Sequence, residues 1–249
     1  MLAPAVPVGI SACLFDLDGV LTQTAKVHAA AWKEMFDAFL LDRADRTGEP
    51  FRPFELPADY EAHVDGRLRQ DGVRTFLASR GIVLPEGSAD DSPTAPSVHG
   101  LGNRKNDLVL ELIRRDGVEA YEGSVRFVRA VRAADLARAV VSASKNCQAV
   151  LAGAGIEDLF DVRVDGVVAA REGLRGKPAP DMFLAAARAL DVDPTRAAVF
   201  EDAVAGVEAG RAGAFGWVVG VDRTGQGGAL RTHGADIVVG DLGELLEER

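Results

Sequence analysis

The chain has 249 residues, of which 47% are hydrophobic and 27% charged, and its formal net charge is -10. That length can bury a full core, as one large or two modest domains, and the composition is that of an ordinary water-soluble globular protein. The acidic balance leaves no basic stripe for nucleic acid, and no apolar run reaches bilayer length, so neither a nucleic-acid partner nor a membrane is expected.

The two cysteines, Cys13 and Cys147, support no disulfide framework and fit a reducing cytoplasm. The apolar start, Met1 to Ile10, lacks a basic region and runs into the first strand, so no signal peptide is expected.

In chain order, the apolar stretch 11–16 reads as a buried strand. It delivers Asp16 and Asp18, then Gly19. Residues i and i+2 of a strand share a face, so the two carboxylates sit together at the strand's carboxyl end, where open α/β sheets place their chemistry. Like charges that close repel unless a proton or cation intervenes, and Mg²⁺ is the usual hard cation where phosphate is handled.

Residues 24–119 read as mainly helical. An amphipathic helix spans 24–41, with Val27, Phe36 and Phe39 on its apolar side. A proline-bearing loop, 42–57, leads to helices 58–64 and 69–80. A turn-rich stretch, 84–98, is expected to be mobile, and a helix follows at 103–116. From 120 onward helix and strand alternate: helices 123–134, 146–154, 180–190, 203–212 and 241–247, and strands 136–141, 161–164, 197–200, 215–220 and 236–239. Such alternation predicts a doubly wound, Rossmann-like parallel sheet with helices on both faces. The expected organisation is an α/β core, 1–23 with 120–249, interrupted by an inserted small helical cap, 24–119.

Three more strand ends carry polar residues. Ser142, Ala143, Ser144, Lys145 and Asn146 follow an apolar strand and open a helix, a natural phosphate cradle; a plain serine helix cap is the bland alternative. Lys177 precedes Pro178 just ahead of a helix, on a stiff tether. Glu201 and Asp202 end another strand and could complete a metal site with Asp16, or merely cap the following helix.

The order of these four motifs resembles that of the haloacid dehalogenase-like phosphotransferases, over essentially the whole chain. A narrower resemblance, to the β-phosphoglucomutases, is carried by Asp16 to Thr24, His28, Gly66 to Arg69, Arg104 to Asn106, Ser142 to Asn146, and Gly176 to Asp181.

The resemblance implies that Asp16 is the nucleophile, forming an aspartyl phosphate, and that Asp18 is the general acid and base. It makes Asp16, the Asp18 backbone carbonyl and Asp202 ligands of Mg²⁺, with Glu201 close by. Ser142, Ala143 and Lys177 would stabilise charge on the phosphoryl group. Thr24 and His28, at the cap hinge, would position Asp18. Arg69, Ser144, Lys145 and Asn146 would grip a second phosphate, and Lys105 and Asn106 would hold sugar hydroxyls.

The implied reaction interconverts β-glucose 1-phosphate and glucose 6-phosphate through β-glucose 1,6-bisphosphate, in a cytoplasmic monomer acting on a small phosphorylated sugar. A sugar-phosphate phosphatase shares Asp16, Asp18, Lys177 and Asp202, and a sugar-phosphate-binding regulatory protein is the non-enzymatic alternative. Two departures stand out: Asp65 lines up with a sugar-contacting lysine of the family, and loops 42–57 and 84–98 are longer than its compact form requires.

Overall fold

A computed structural model describes residues 2–248. The chain divides into two compact units: one comprises the chain up to Gln23 and from Val118 onward, the other Thr24–Gly117.

Strands β1 (Leu2–Pro4) and β2 (Ala12–Phe15) precede the helical unit, which holds α1 (Ala25–Thr47), α2 (Ala58–His63), α3 (Arg69–Ser79) and α4 (Val98–Asp116). Its core is aromatic. Phe36 lies 4.1 Å from Phe76, ring centre to ring centre, and stacks between Trp32 (5.3 Å) and Phe54 (5.2 Å). Leu40, Val64, Val73, Leu77, Val98 and Leu101 close around these rings.

The other unit continues with α5 (Glu122–Ala133), β3 (Ala137–Val141), α6 (Cys147–Gly153), β4 (Val162–Val164), α7 (Gly166–Glu172), α8 (Asp181–Ala189), β5 (Ala197–Glu201), α9 (Val204–Ala212), β6 (Trp217–Val221), α10 (Gly227–Thr232), β7 (Ile237–Val239) and β8 (Leu246–Glu248). Six strands form one parallel sheet in the order β4-β3-β2-β5-β6-β7. This is the predicted doubly wound α/β architecture. The all-apolar strand β2 is central and buried along its whole length, as a strand covered on both faces must be. Phe15 pairs in register with Val140 and Phe200, and its ring stacks on Phe200 at 4.6 Å. The chain winds from β2 to β3 and β4, then crosses to β5 on the other side. The carboxyl ends of β3, β2 and β5 therefore meet at a topological switch point, the usual crevice of such sheets.

The structure corrects several expected elements. Helix α1 runs to Thr47 rather than stopping at Leu41; its last turns are polar and exposed, and it stops at Gly48, where φ is +73°. Helix α4 starts at Val98, because the Ser97 hydroxyl caps it by accepting from the Gly100 N–H at 2.9 Å. The 84–98 stretch is tied down rather than loose: Arg74 pairs with Glu86, and the Asn103 amide donates to the carbonyls of Ala89 and Asp91. Loop 42–57 is likewise pinned, with the Phe54 N–H on Asp37 at 2.7 Å and its carbonyl on Lys33 at 2.9 Å. Helices α7 and α10 had no counterpart in the sequence reading. The helix expected at 241–247 is a 3₁₀ turn, Leu242–Leu245, followed by β8, which pairs antiparallel with β1.

Candidate active site

The Asp16 N–H donates to the Phe200 carbonyl at 2.9 Å, so β2 and β5 stay in register to the residue that carries the first carboxylate. Beyond it the chain makes a tight turn. The Leu21 and Thr22 N–H groups both donate to Leu17 O at 2.9 Å, and the Gly19 N–H donates to Thr22 O at 2.8 Å. Gly19 has φ +93°, and a Cβ there would sit 1.8 Å from an oxygen of Asp202. Only glycine serves, both for the backbone angle and for the carboxylate laid against it.

Asp16, Glu201 and Asp202 are all buried, and one oxygen of each lies within 4.8 Å of the others. Lys177, also buried, reaches them from the loop before α8. Its Nζ donates to Asp16 Oδ1 at 2.5 Å and to the Val141 carbonyl at 3.3 Å, and it is ion-paired with Glu201. The ammonium also lies 5.0 Å from the centre of the Phe183 ring. Glu201 owes its place to Gly206, where a Cβ would fall 1.9 Å from the Glu201 carboxyl carbon.

Burial pushes the Asp16 carboxyl well above the usual carboxylate range, against the pull of Lys177, and the charges of Glu201 and Asp18 push it further up. Burial alone would lower Lys177, but Asp16 and Glu201 hold its ammonium above the ordinary lysine range. Three carboxylates around one ammonium leave a surplus of negative charge in a buried place, at a cost that pairing alone does not offset. An all-oxygen donor set with that surplus suits a hard divalent cation such as Mg²⁺, and these residues fit one.

Asp18 is only partly buried and its carboxylate stands outside this set. The Ser142 hydroxyl donates to Asp18 Oδ2 at 3.5 Å. Ser142 follows β3 and is fully buried. The loop after it is held by its own hydroxyls: the Ser144 N–H donates to Ser142 Oγ and the Asn146 N–H to Ser144 Oγ, both at 3.1 Å. Gly166 packs against the same loop, where a Cβ would approach the Ala143 carbonyl to 2.7 Å. Lys145 is exposed, and Ala143 and Asn146 are partly buried.

The remaining nominated residues lie in the helical unit. Thr24 is buried and immediately precedes α1; His28 is in its first turn. Lys105, on α4, is buried, with Nζ 2.8 Å from His28 Nδ1 and 4.8 Å from the centre of the Trp32 ring. An ammonium only donates, so Nδ1 accepts and the ring hydrogen is on Nε2. Arg69 donates to the Gly102 carbonyl at 3.2 Å, and burial lowers its affinity for its proton, opposed by the charge of Asp107. Asn106 follows on α4, partly buried.

The sequence reading left Glu201 loosely placed near the metal; its pairing with Lys177 joins residues far apart in the chain, and no local signal announces it. It also missed Arg223, whose Nε donates to the Gly19 carbonyl at 3.1 Å.

Comparison with known proteins places the chain in a family. Residues 10–213 match the haloacid dehalogenase-like hydrolase family, and the chain belongs to that family. A β-phosphoglucomutase of Mycobacterium tuberculosis is 57% identical over 97% of this chain and 93% of its own length. One from Bacillus subtilis is 32% identical over 96% of this chain and 93% of its own length. The crystal structure of a β-phosphoglucomutase from Clostridium difficile superposes with TM-score 0.71 at 27% identity, covering 95% of this chain and 93% of that one. Among the described residues, no helix is long and apolar enough to cross a membrane.

Proposed function

We propose that the protein interconverts β-glucose 1-phosphate and glucose 6-phosphate through β-glucose 1,6-bisphosphate. The observation that carries the reading is the buried Asp16, bonded to Lys177 beside Glu201 and Asp202, in a chain 57% identical over nearly its full length to a β-phosphoglucomutase.

In the proposed reaction an Asp16 oxygen attacks phosphorus of the bisphosphate. An Oδ–P bond forms, the P–O bond to the sugar breaks, and Asp18 gives its proton to the departing sugar oxygen. In the return step a sugar hydroxyl loses its proton to Asp18 and takes the phosphoryl group back. Lys177 holds Asp16 in place and opposes the burial that favours its protonated form. The Ser142 hydroxyl and the Ala143 amide meet the charge on the phosphoryl oxygens. Mg²⁺, held by Asp16, Asp202 and the Asp18 carbonyl with Glu201 beside them, would supply neutralising charge to the carboxylates and the transferring group.

Arg69, Ser144, Lys145 and Asn146 are proposed to bind the second phosphate, and Lys105 and Asn106 the sugar hydroxyls. Thr24 and His28 are assigned to positioning, and His28 does so at least for the Lys105 ammonium. A cytoplasmic monomer acting on a phosphorylated sugar, without nucleic acid, completes the proposal.

The test is phosphorus NMR on each glucose 1-phosphate anomer with Mg²⁺ and catalytic bisphosphate. Glucose 6-phosphate from the β anomer is the expected product. Inorganic phosphate alone would overturn the reading in favour of a sugar-phosphate phosphatase, the alternative that a hydrolase family keeps open. Arg69→Ala separates the two: it should cripple bisphosphate use far more than hydrolysis of a small aryl phosphate.

A further inference from the structure

The loop between β6 and α10 bonds two backbone carbonyls at the acidic cluster, one of Asp202 itself and one of the glycine packed against it. Arg223 Nε donates to Gly19 O at 3.1 Å, and Gln226 Nε2 donates to Asp202 O at 3.1 Å. These carbonyls belong to the two segments whose contact fixes the Asp202 carboxylate, since Gly19 is the residue against which it packs. We propose that Arg223 and Gln226 are positioning residues that hold the Asp16–Gly19 turn and Asp202 in the arrangement a divalent cation requires. This rests on the reading of Asp16 and Asp202 as cation ligands.

The loop is built to be rigid. Asp222 accepts four backbone N–H groups: Thr224 at 3.2 Å, Gly225 at 2.6 Å and Gln226 at 2.9 Å on Oδ1, and Gly227 at 2.9 Å on Oδ2. Those bonds hold the Asp222 carboxyl below the usual range although burial opposes them. Arg223 is fixed on every side. Nη1 donates to Gly240 O at 2.7 Å and to Asp241 Oδ2 at 2.9 Å, Nη2 donates to Ser124 Oγ at 3.3 Å, and the guanidinium stacks 3.6 Å from the Tyr121 ring centre. Ser124 in turn donates to Val20 O at 2.7 Å, so the same group of residues grips the turn at two consecutive carbonyls.

A planar fork bonded to four partners has one orientation, which a lysine cannot reproduce. Groups that touch no metal but orient its ligands commonly change metal affinity by about 10–100-fold.

The experiment is Mg²⁺ titration calorimetry on the folded, substrate-free protein, run beside Mg²⁺-dependent turnover. The set is wild type, Arg223→Lys, Gln226→Ala and, as an arginine with comparable bonds elsewhere, Arg211→Ala. Arg211 donates to Gly234 O and pairs with Asp236. Arg223→Lys and Gln226→Ala should each weaken Mg²⁺ binding about tenfold or more. Turnover at saturating Mg²⁺ should stay within about threefold of wild type, and sugar-phosphate KM should be unchanged. Arg211→Ala should lower thermal stability and leave Mg²⁺ affinity alone.

Wild-type affinity in folded Arg223→Lys and Gln226→Ala overturns the proposal, as does an equal loss in Arg211→Ala. Should Arg223→Lys not fold, Gln226→Ala decides. A wild-type protein that binds no Mg²⁺ would sink the cation-site reading itself, a result distinct from the others.

Discussion

Both units have apolar cores, but they differ in how much charge they bury. The helical unit is filled with aromatic rings around Phe36 and Phe76, and most of its charged residues stay at the surface. The α/β unit gathers Asp16, Glu201 and Asp202 at the ends of its central strands around Lys177 from the loop before α8, each with at most 8% of its surface exposed. Apolar burial is favourable in itself, at about 25 cal/mol per Å². Burial of charge is tolerated only where each group has a partner, and it is kept where chemistry needs it. One interior is therefore optimised for stability, while the other gives some up for reactivity.

Substitutions can break or sharpen that contrast. The largest effect is expected of Asp16→Asn, which should reduce turnover by more than about 10⁴-fold if the side chain is the nucleophile. Removing one of three converging carboxylates should at the same time raise the melting temperature of the metal-free protein. Residual activity near wild type, assayed with purified variant, would end the mechanism.

Lys177→Met should come next. It leaves Asp16 and Glu201 buried without their cation, at a cost of about 3–5 kcal/mol in denaturant unfolding. A variant as stable as wild type would show that the carboxylates are already protonated in the metal-free fold.

Phe76→Ala tests the other interior. This ring is fully buried and touches Phe36 and Phe54, so its loss should cost about 3–5 kcal/mol. Mg²⁺ affinity should not change, and a change would show that the two interiors are coupled.

The smallest effect is a pH dependence. The folded-state carboxyl of Asp16 lies above its unfolded value of 3.8. A group so raised contributes stability that is fully present below the unfolded value and is lost as pH rises through the folded one. Lys177 is raised too, but from a base of 10.5, so its contribution persists through neutrality and drops out only in strong alkali. As pH rises above that unfolded value, therefore, the metal-free protein should lose stability on account of Asp16, and Mg²⁺ should restore it. Differential scanning calorimetry should show a larger Mg²⁺-induced shift at pH 7.5 than at pH 5, of about 2–3 kcal/mol near 100-fold saturation. Equal shifts would mean that Asp16 is ionised throughout.

Much of this was legible in the sequence because it is local. An apolar run that ends in Asp16 and Asp18, and another that ends in Glu201 and Asp202, announce buried parallel strands with polar carboxyl ends. What the sequence hid was long-range or weakly patterned. The bond between Lys177 and Glu201, and the reach of Arg223 to Gly19, depend on strand order, which periodicity does not report. Strand β8 read as a helix because Leu242 to Glu248 has helix-forming composition. Its pairing with β1, Leu2 opposite Glu248, is a contact between chain ends that overrides local preference. The polar end of α1 has no apolar stripe, so by pattern alone it reads as loop.

The connectors on either side of the helical unit run side by side. The Gln23 N–H donates to Glu119 O at 2.8 Å, the Tyr121 N–H donates to Leu21 O at 2.9 Å, and Thr22 is bridged antiparallel to Ala120. The α/β unit thus presents two adjacent severed ends, as at a hairpin whose loop has been exchanged for something larger. A brief turn could join them with little loss of chain entropy, and a foreign module could be spliced there without disturbing strand order. Recombination at this seam offers a route by which one phosphoryl-transfer engine acquires new substrate preferences while its carboxylates and lysine stay untouched.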